Sequence, residues 1–216
     1  MQESIFDKKT ELLENFLGLA VFNGLSAQSL LMAGRQIGLN EGQVSIIAPN
    51  GVISIIDYWF SMADEFMVEN LNSRQGLKIR EKATLAIRSR LEYFSSNKEA
   101  FRKAIALLAL PTNALRALAI GNRFSDLAWR TFGDKSTDFN YYSKRAMLLA
   151  TDIATSAYFL GDESDEHQDT WEFLDRRIEN IMQIEKTKFE LKKMATNFPD
   201  PIPFLAKLRY GVKPEV

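Results

Sequence analysis

Residues 133–178 read GDKSTDFNYYSKRAMLLATDIATSAYFLGDESDEHQDTWEFLDRRI. The stretch is two helices and the punctuation between them. Gly133 stops the helix before it, Thr137 is a capping residue, and 138–160 runs without proline or glycine until Gly161 terminates it. Asp165 then caps a further helix over about 168–196, whose stripe of Trp171, Leu174, Ile178, Ile181 and Met182 has helical spacing. Past its opening turns the first helix is almost wholly apolar, which predicts burial along much of its length. Its start gathers Phe139, Tyr141, Tyr142, Lys144 and Arg145, which predicts that it grips something there.

Outward from this pair, nearly every segment repeats the helical period and no hairpin signal occurs. Helices are predicted over about 4–22, from Ser26 to Gly38, over 41–48, to about Asn70, and over 77–94, 98–110 and 112–132. Asn23-Gly24, Gly38, Pro49-Asn50-Gly51 and Pro111 supply the stops. The fold class is all-α. Three regions follow: 1–72, a helix-turn-helix front; 73–196, a second helical region; and 197–216, a proline-rich linker followed by a short amphipathic helix with Phe204, Leu205 and Leu208 on one side.

The spacing of the first four helices resembles the TetR-type regulators, in which the third helix enters the DNA major groove. The chemistry of such a reader is missing here. No Lys or Arg lies between Arg35 and Arg74, whereas Glu41, Asp57, Asp64, Glu65 and Glu69 are acidic. The short helix EGQVSIIA offers Ile46 and Ile47 where base edges need polar groups. The helix-turn-helix is therefore read as degenerate, a scaffold without nucleic acid. The alternative is a TetR-type transcriptional regulator binding DNA and a small apolar effector.

Composition narrows the chemistry. The chain has 216 residues, a net charge of -1, no cysteine and one histidine, so it has no disulfides, no thiol nucleophile and no Cys/His zinc site. No phosphate-binding, nucleophile-elbow or zinc-protease motif occurs. His167 sits in an acidic interhelix loop and reads as solvated. Asp152, the one charge in 146–160, reads either as an acid poised by burial or, preferably, as an acid at the surface or satisfied by Thr155 or Ser156. The reading is of a protein without catalytic residues, metal or cofactor. The opening MQESIFDKKTELLENF is acidic and lacks the character of a presequence or a secretion signal. With the absence of cysteine and of any long apolar run, it sets the expectation of a cytoplasmic protein of a bacterium, and the terminal amphipathic segment adds peripheral binding to the inner membrane.

The adjacent tyrosines point about 100° apart. Tyr142 shares a stripe with Ala146, Leu149 and Ile153, which makes it partly core. Tyr141 shares a face with Lys144 and Arg145, the composition of a docking hot spot. On composition alone an ordinary aromatic helix start fits equally well.

The run GDKSTDFNYYSKRAML…QDTWEFLDRRIENIM resembles the signature of the ubiquinone-biosynthesis accessory protein family, coenzyme Q protein nine, with the strong match over about 126–182. The resemblance implies a TetR-like, all-helical homodimer that has abandoned DNA. It implies a non-catalytic role: binding an isoprenoid quinone precursor or phospholipid and presenting a quinone intermediate to the demethoxyubiquinone hydroxylase, or another hydroxylase of the pathway, at the membrane. It maps partner binding onto Asp126, Trp129, Tyr141, Tyr142 and Arg145. Tyr141 stands where the mitochondrial family members have Trp, and Ala128 where they have Met, which implies a somewhat different partner surface, such as that of a flavin-dependent hydroxylase. Met147, Phe173 and Met182 are the candidate lipid-lining residues. Phe204, Leu205 and Leu208 are the candidates for membrane contact, with Lys207 and Arg209 meeting headgroups; docking of that helix on its own domain is the competing reading.

Overall fold

The computed structural model describes residues 5–135 and 139–197. Among the described residues nine α-helices follow in order: α1 (Ile5–Asn23), α2 (Ala27–Gln36), α3 (Glu41–Ile47), α4 (Val52–Asn72), α5 (Ile79–Ser95), α6 (Lys98–Leu108), α7 (Ala114–Thr131), α8 (Phe139–Gly161) and α9 (Gln168–Asn197). Single 3₁₀ turns, Pro111–Asn113 and Asp165–His167, precede α7 and α9. No strand occurs among the described residues, in agreement with the all-α expectation.

The front three helices are held by local chemistry. The Ser26 hydroxyl accepts the Ser29 N–H at the start of α2. Asn40 and Gln43 exchange side-chain and backbone hydrogen bonds, both 2.9 Å, at the start of α3. Gly34 lets α2 and α3 touch, because a Cβ there would stand 2.3 Å from Val44 Cγ2.

One continuous core joins this front to the rest. The indole of Trp59 on α4 meets Phe94 edge-on at 4.9 Å, and Phe94 stacks on Phe101 at 4.3 Å. Helix α6 then supplies cations to the ends of two helices that have no basic residue in their own last turns. Lys103 donates to the carbonyls of Ala20 and Val21 at the end of α1. Arg102 donates to Leu160 O, and Lys98 to Asp162 O, at the end of α8.

Charges also lie inside. Arg90 on α5 is 3% exposed and sits 2.9 Å from Asp64 of α4 and 2.6 Å from Asp152 of α8. Arg123 of α7 bonds Asp64 and Asp57. Burial would push the Arg90 pKa down; the charges of Asp152 and Asp64 outweigh that and hold it above its usual value. Burial pushes the Asp64 carboxyl up against the pull of Arg90 and Arg123. Asp152 is thus buried and paired with Arg90, not a surface acid or one satisfied by Thr155 or Ser156. Its partner lies 62 residues away in sequence, beyond the reach of a local reading.

Candidate functional site: the opening of α8 and the cavity behind it

The site begins where α7 turns over. Gly133 takes φ +87°, its N–H bonds Arg130 O, and the Asp134 N–H bonds Trp129 O at 3.0 Å. This left-handed turn, which favours glycine, brings Asp134 round beside α8. Asp126, nearly two turns back on α7, accepts three hydrogen-bonding or ionic partners: Tyr141 Oη at 2.9 Å, Arg145 Nε at 2.9 Å and Arg130 Nε at 2.7 Å. Burial alone would raise the Asp126 pKa; the bonds from Arg145 and Tyr141 and the charges of Arg130 and Arg145 hold it below the ordinary carboxylate value.

Arg145 is 8% exposed. Its guanidinium lies 3.5 Å over the Tyr141 ring, and its Nη1 donates to Asp134 and to Tyr141 O. Lys144 bonds Asp134 at 2.8 Å and lies over Trp129, whose indole N–H bonds Lys144 O. Asp126, Trp129, Tyr141 and Arg145 therefore come together, as a staple between α7 and α8.

The two tyrosines exchange the places that their spacing suggested. Tyr142, expected to be partly core, is 70% exposed, and Tyr141 is half-buried under Arg145. The reason is the partner set. Asp126 and Asp134 draw the Arg145 face of α8 inward, so Tyr142, Ala146 and Ile153 of that stripe turn outward, while Leu149 packs against Gly121 of α7. The polar residues further along α8 share that inward face. Thr151 and Thr155 bond back to the carbonyls of Met147 and Thr151, and Asp152 pairs with Arg90. Helix α8 thus buries Arg145, Thr151, Asp152, Thr155 and Ser156 along with Leu148 and Phe159 and leaves Tyr142 and Ile153 (60%) exposed; Leu118 (54%) and Leu115 (85%) of α7 are exposed as well. Hydropathy alone does not predict polar residues on that buried face.

Behind the staple lies a cavity of about 420 Å³ between α5, α7, α8 and α9. Its walls are Ile79, Ala83, Trp129, Phe132, Met147, Leu148, Ile178 and Ile181, with Arg80, Lys135, Lys144 and Asp134 also bordering it. Met147 is among its lining residues. Phe173 is not; it stacks on Tyr158 at 4.5 Å under Arg177. The side chain of Met182, and Phe204, Leu205 and Leu208, fall outside the described residues. The sequence reading missed Ile79, Ala83 and Phe132, which reach the cavity from other helices and carry no local signal. Among the described residues, no cluster of three His, Asp or Glu side chains could hold a metal ion, and no single helix is long and apolar enough to cross a membrane.

Comparison with known proteins places this geometry. Residues 114–185 match the COQ9 family model. The chain is 27% identical over 193 residues to the probable ubiquinone biosynthesis protein coq9, mitochondrial, of Dictyostelium discoideum, covering 86% of this chain and 63% of that one. It is 26% identical over 178 residues to the Homo sapiens ubiquinone biosynthesis protein COQ9, mitochondrial (79% and 56%), and 29% over 182 residues to that of Drosophila melanogaster (81% and 55%). The chain thus spans less than two thirds of the length of these relatives. Among solved structures, a TetR transcriptional regulator from Nitrosomonas europaea superposes with a TM-score of 0.64 at 16% identity, covering 79% of this chain and 95% of that one. This likeness shows the TetR-type fold. The mitochondrial, eukaryotic relatives overturn the expectation of a cytoplasmic protein on a bacterial inner membrane. That expectation rested on composition, and composition does not record compartment.

Proposed function

We propose, from the match of residues 114–185 to the COQ9 family model, that the chain is a non-catalytic accessory protein of ubiquinone biosynthesis. In this reading it holds an isoprenoid quinone precursor or a phospholipid in the cavity behind α8. It presents the quinone intermediate to a pathway hydroxylase at a membrane surface, acting as a homodimer that does not bind nucleic acid. The observation that carries the reading is the orientation of α8, with an apolar cavity on its inner flank and an apolar stripe led by Tyr142 on its outer one.

The cavity lies within the roughly 300–1,000 Å³ of small-molecule sites. Its walls suit an apolar tail, each buried methylene contributing about 0.8 kcal/mol. Arg80, Lys135 and Lys144 suit an anionic headgroup. On the outer flank, the 70% exposed Tyr142 is the type of aromatic side chain that anchors protein contacts. Asp126, Trp129 and Arg145 then act as the frame that presents Tyr142.

The test is mass spectrometry of lipid extracted from purified protein, paired with co-purification of a demethoxyubiquinone hydroxylase. Wild type should carry an isoprenoid or phospholipid that Ile181→Trp, which fills the cavity, excludes. Tyr142→Lys should retain lipid and lose the hydroxylase. A wild-type protein without lipid that also ignores quinone precursors in vesicles would sink the lipid assignment; unchanged hydroxylase capture by Tyr142→Lys would sink the docking one.

A further inference from the structure

A groove of about 330 Å³ runs between α1, α4 and α5 and shares no residue with the cavity behind α8. Leu13, Leu17, Trp59 and Met62 supply its apolar walls, and Glu14 and Glu92 are its charged members, both exposed. Arg88 pairs with Glu92 at 2.7 Å. Glu14 has no ion pair or hydrogen bond among the described residues. The acidic character continues past the groove. Glu65, Phe66 and Glu69 are exposed on α4, and no Lys or Arg lies between Arg35 and Arg74. Tyr93, in the wall, packs on Phe66 at 5.7 Å; burial, with the charges of Tyr58, Glu65 and Glu14, pushes its phenol pKa up.

Trp59 adds a second demand. It is 2% exposed, and it differs from the other two tryptophans of the chain. The indole N–H of Trp129 bonds Lys144 O and that of Trp171 bonds Glu166 O. The Trp59 N–H meets no acceptor among the described residues, yet it is not one of the polar atoms sealed from solvent. Buried donors are normally paired, because desolvating one without an acceptor costs free energy. We infer that the groove docks an arginine-bearing segment of a partner protein. A guanidinium meets Glu14 and the Tyr93 ring, a main-chain carbonyl accepts the Trp59 N–H, and a further basic residue meets Glu65 and Glu69, one helical turn apart.

Other occupants fit less of this surface. An anion would meet Glu14 and Glu92. A bare ammonium or a metal ion offers Trp59 no acceptor. An apolar ligand covers Glu14 without pairing it, at a desolvation cost. A small amino alcohol supplies both a cation and an acceptor but leaves Glu65 and Glu69 unmatched. Arginine suits the aromatic wall better than lysine, since its planar guanidinium stacks on a ring.

The experiment follows the tryptophan indole N–H resonances of the isotope-labelled full chain by NMR while acetyl-Arg-Gly-Arg-amide is added. A second titration uses the same peptide with citrulline for both arginines, which keeps the shape and removes the charge. Trp59→Phe identifies the Trp59 resonance; if that variant does not fold, it is the resonance that neither Trp129→Phe nor Trp171→Phe removes. This resonance should move saturably with the arginine peptide, with a Kd of about 1 mM or tighter. The citrulline peptide should bind roughly tenfold more weakly, and Glu14→Gln should weaken the arginine peptide roughly threefold. Ile181→Trp in the cavity behind α8 should leave binding unchanged. No saturable shift of the Trp59 resonance, equal binding of the citrulline peptide, wild-type affinity in Glu14→Gln, or ethanolamine binding as tightly as the arginine peptide would overturn the inference. None of these outcomes bears on lipid behind α8, which is read by extraction, or on hydroxylase capture through Tyr142.

Discussion

The Arg145 guanidinium lies 3.5 Å over the ring of Tyr141 while its Nε bonds Asp126, which the Tyr141 hydroxyl also reaches. The two residues are one unit. The arginine is part of the join between α7 and α8 and only indirectly part of the outer surface. Arg145→Glu would set a third acid against Asp126 and Asp134. Breaking a buried pair in this way costs about 3 kcal/mol, so the variant should melt several degrees lower. Tyr142→Lys, at a 70% exposed position, should melt within about 0.5 kcal/mol of wild type. Chemical denaturation of the two variants checks this; equal stability would show that Arg145 is a free surface charge.

How far the site could be read from sequence follows from this pair. The helices were legible because caps and stops are local: Asn40, Gly133 and Gly161 lie within a few residues of the ends they mark. The meeting of Asp126, Tyr141 and Arg145 followed from a motif. Their orientation did not, since the direction in which Arg145 points depends on Asp134 beyond a turn. Asp152 was harder still, because its partner Arg90 lies three helices earlier. A buried ion pair draws polar residues inward against hydropathy, and α8 has two, Asp152 with Arg90 and Arg145 with Asp134, while Leu148 and Phe159 stay buried as hydropathy expects.

Gly34 offers a test of the front. Its missing Cβ would stand 2.3 Å from Val44 Cγ2, and a β-branched side chain has few rotamers into which to retreat. Gly34→Ala should therefore destabilise the protein by roughly 1–3 kcal/mol, although alanine is the better helix former. The same change paired with Val44→Ala should recover much of the loss. Urea denaturation of the single and double variants checks it; a more stable Gly34→Ala would mean that α2 and α3 pack more loosely than described.

Asp162 sets an acid limit. Its carboxylate accepts N–H and O–H bonds from both Ser164 and Thr170 at the start of α9. Burial pushes its pKa up, but these bonds prevail and depress it well below the ordinary 3.8. A depressed carboxyl gives stability that is present above its unfolded pKa and lost as pH falls through the folded value. Wild type should thus lose this contribution progressively below about pH 4. Asp162→Asn should be less stable by about 1–2 kcal/mol at pH 7 and show a shallower decline toward pH 2. Melting temperatures across that range measure it; parallel acid limbs would show that the carboxylate's charge contributes nothing.

The helix-turn-helix front should not bind DNA, and its charges say how that could be changed. On α3, Glu41 is paired with Arg35 at 2.8 Å and Ile46 is 74% exposed. The face that a DNA reader would present is acidic at one end and greasy at the other. Affinity for duplex DNA comes chiefly from cations that displace condensed counterions, each contributing about 0.9 to the salt slope. With no Lys or Arg between Arg35 and Arg74, fluorescence anisotropy in 50 mM salt should show binding to mixed-sequence duplex no tighter than about 10⁻⁴ M, the weak end of non-specific association. Glu41→Lys with Ile46→Lys should bring in weak binding whose salt slope rises by about 2. Submicromolar binding by the wild type, steep in salt, would restore the regulator reading.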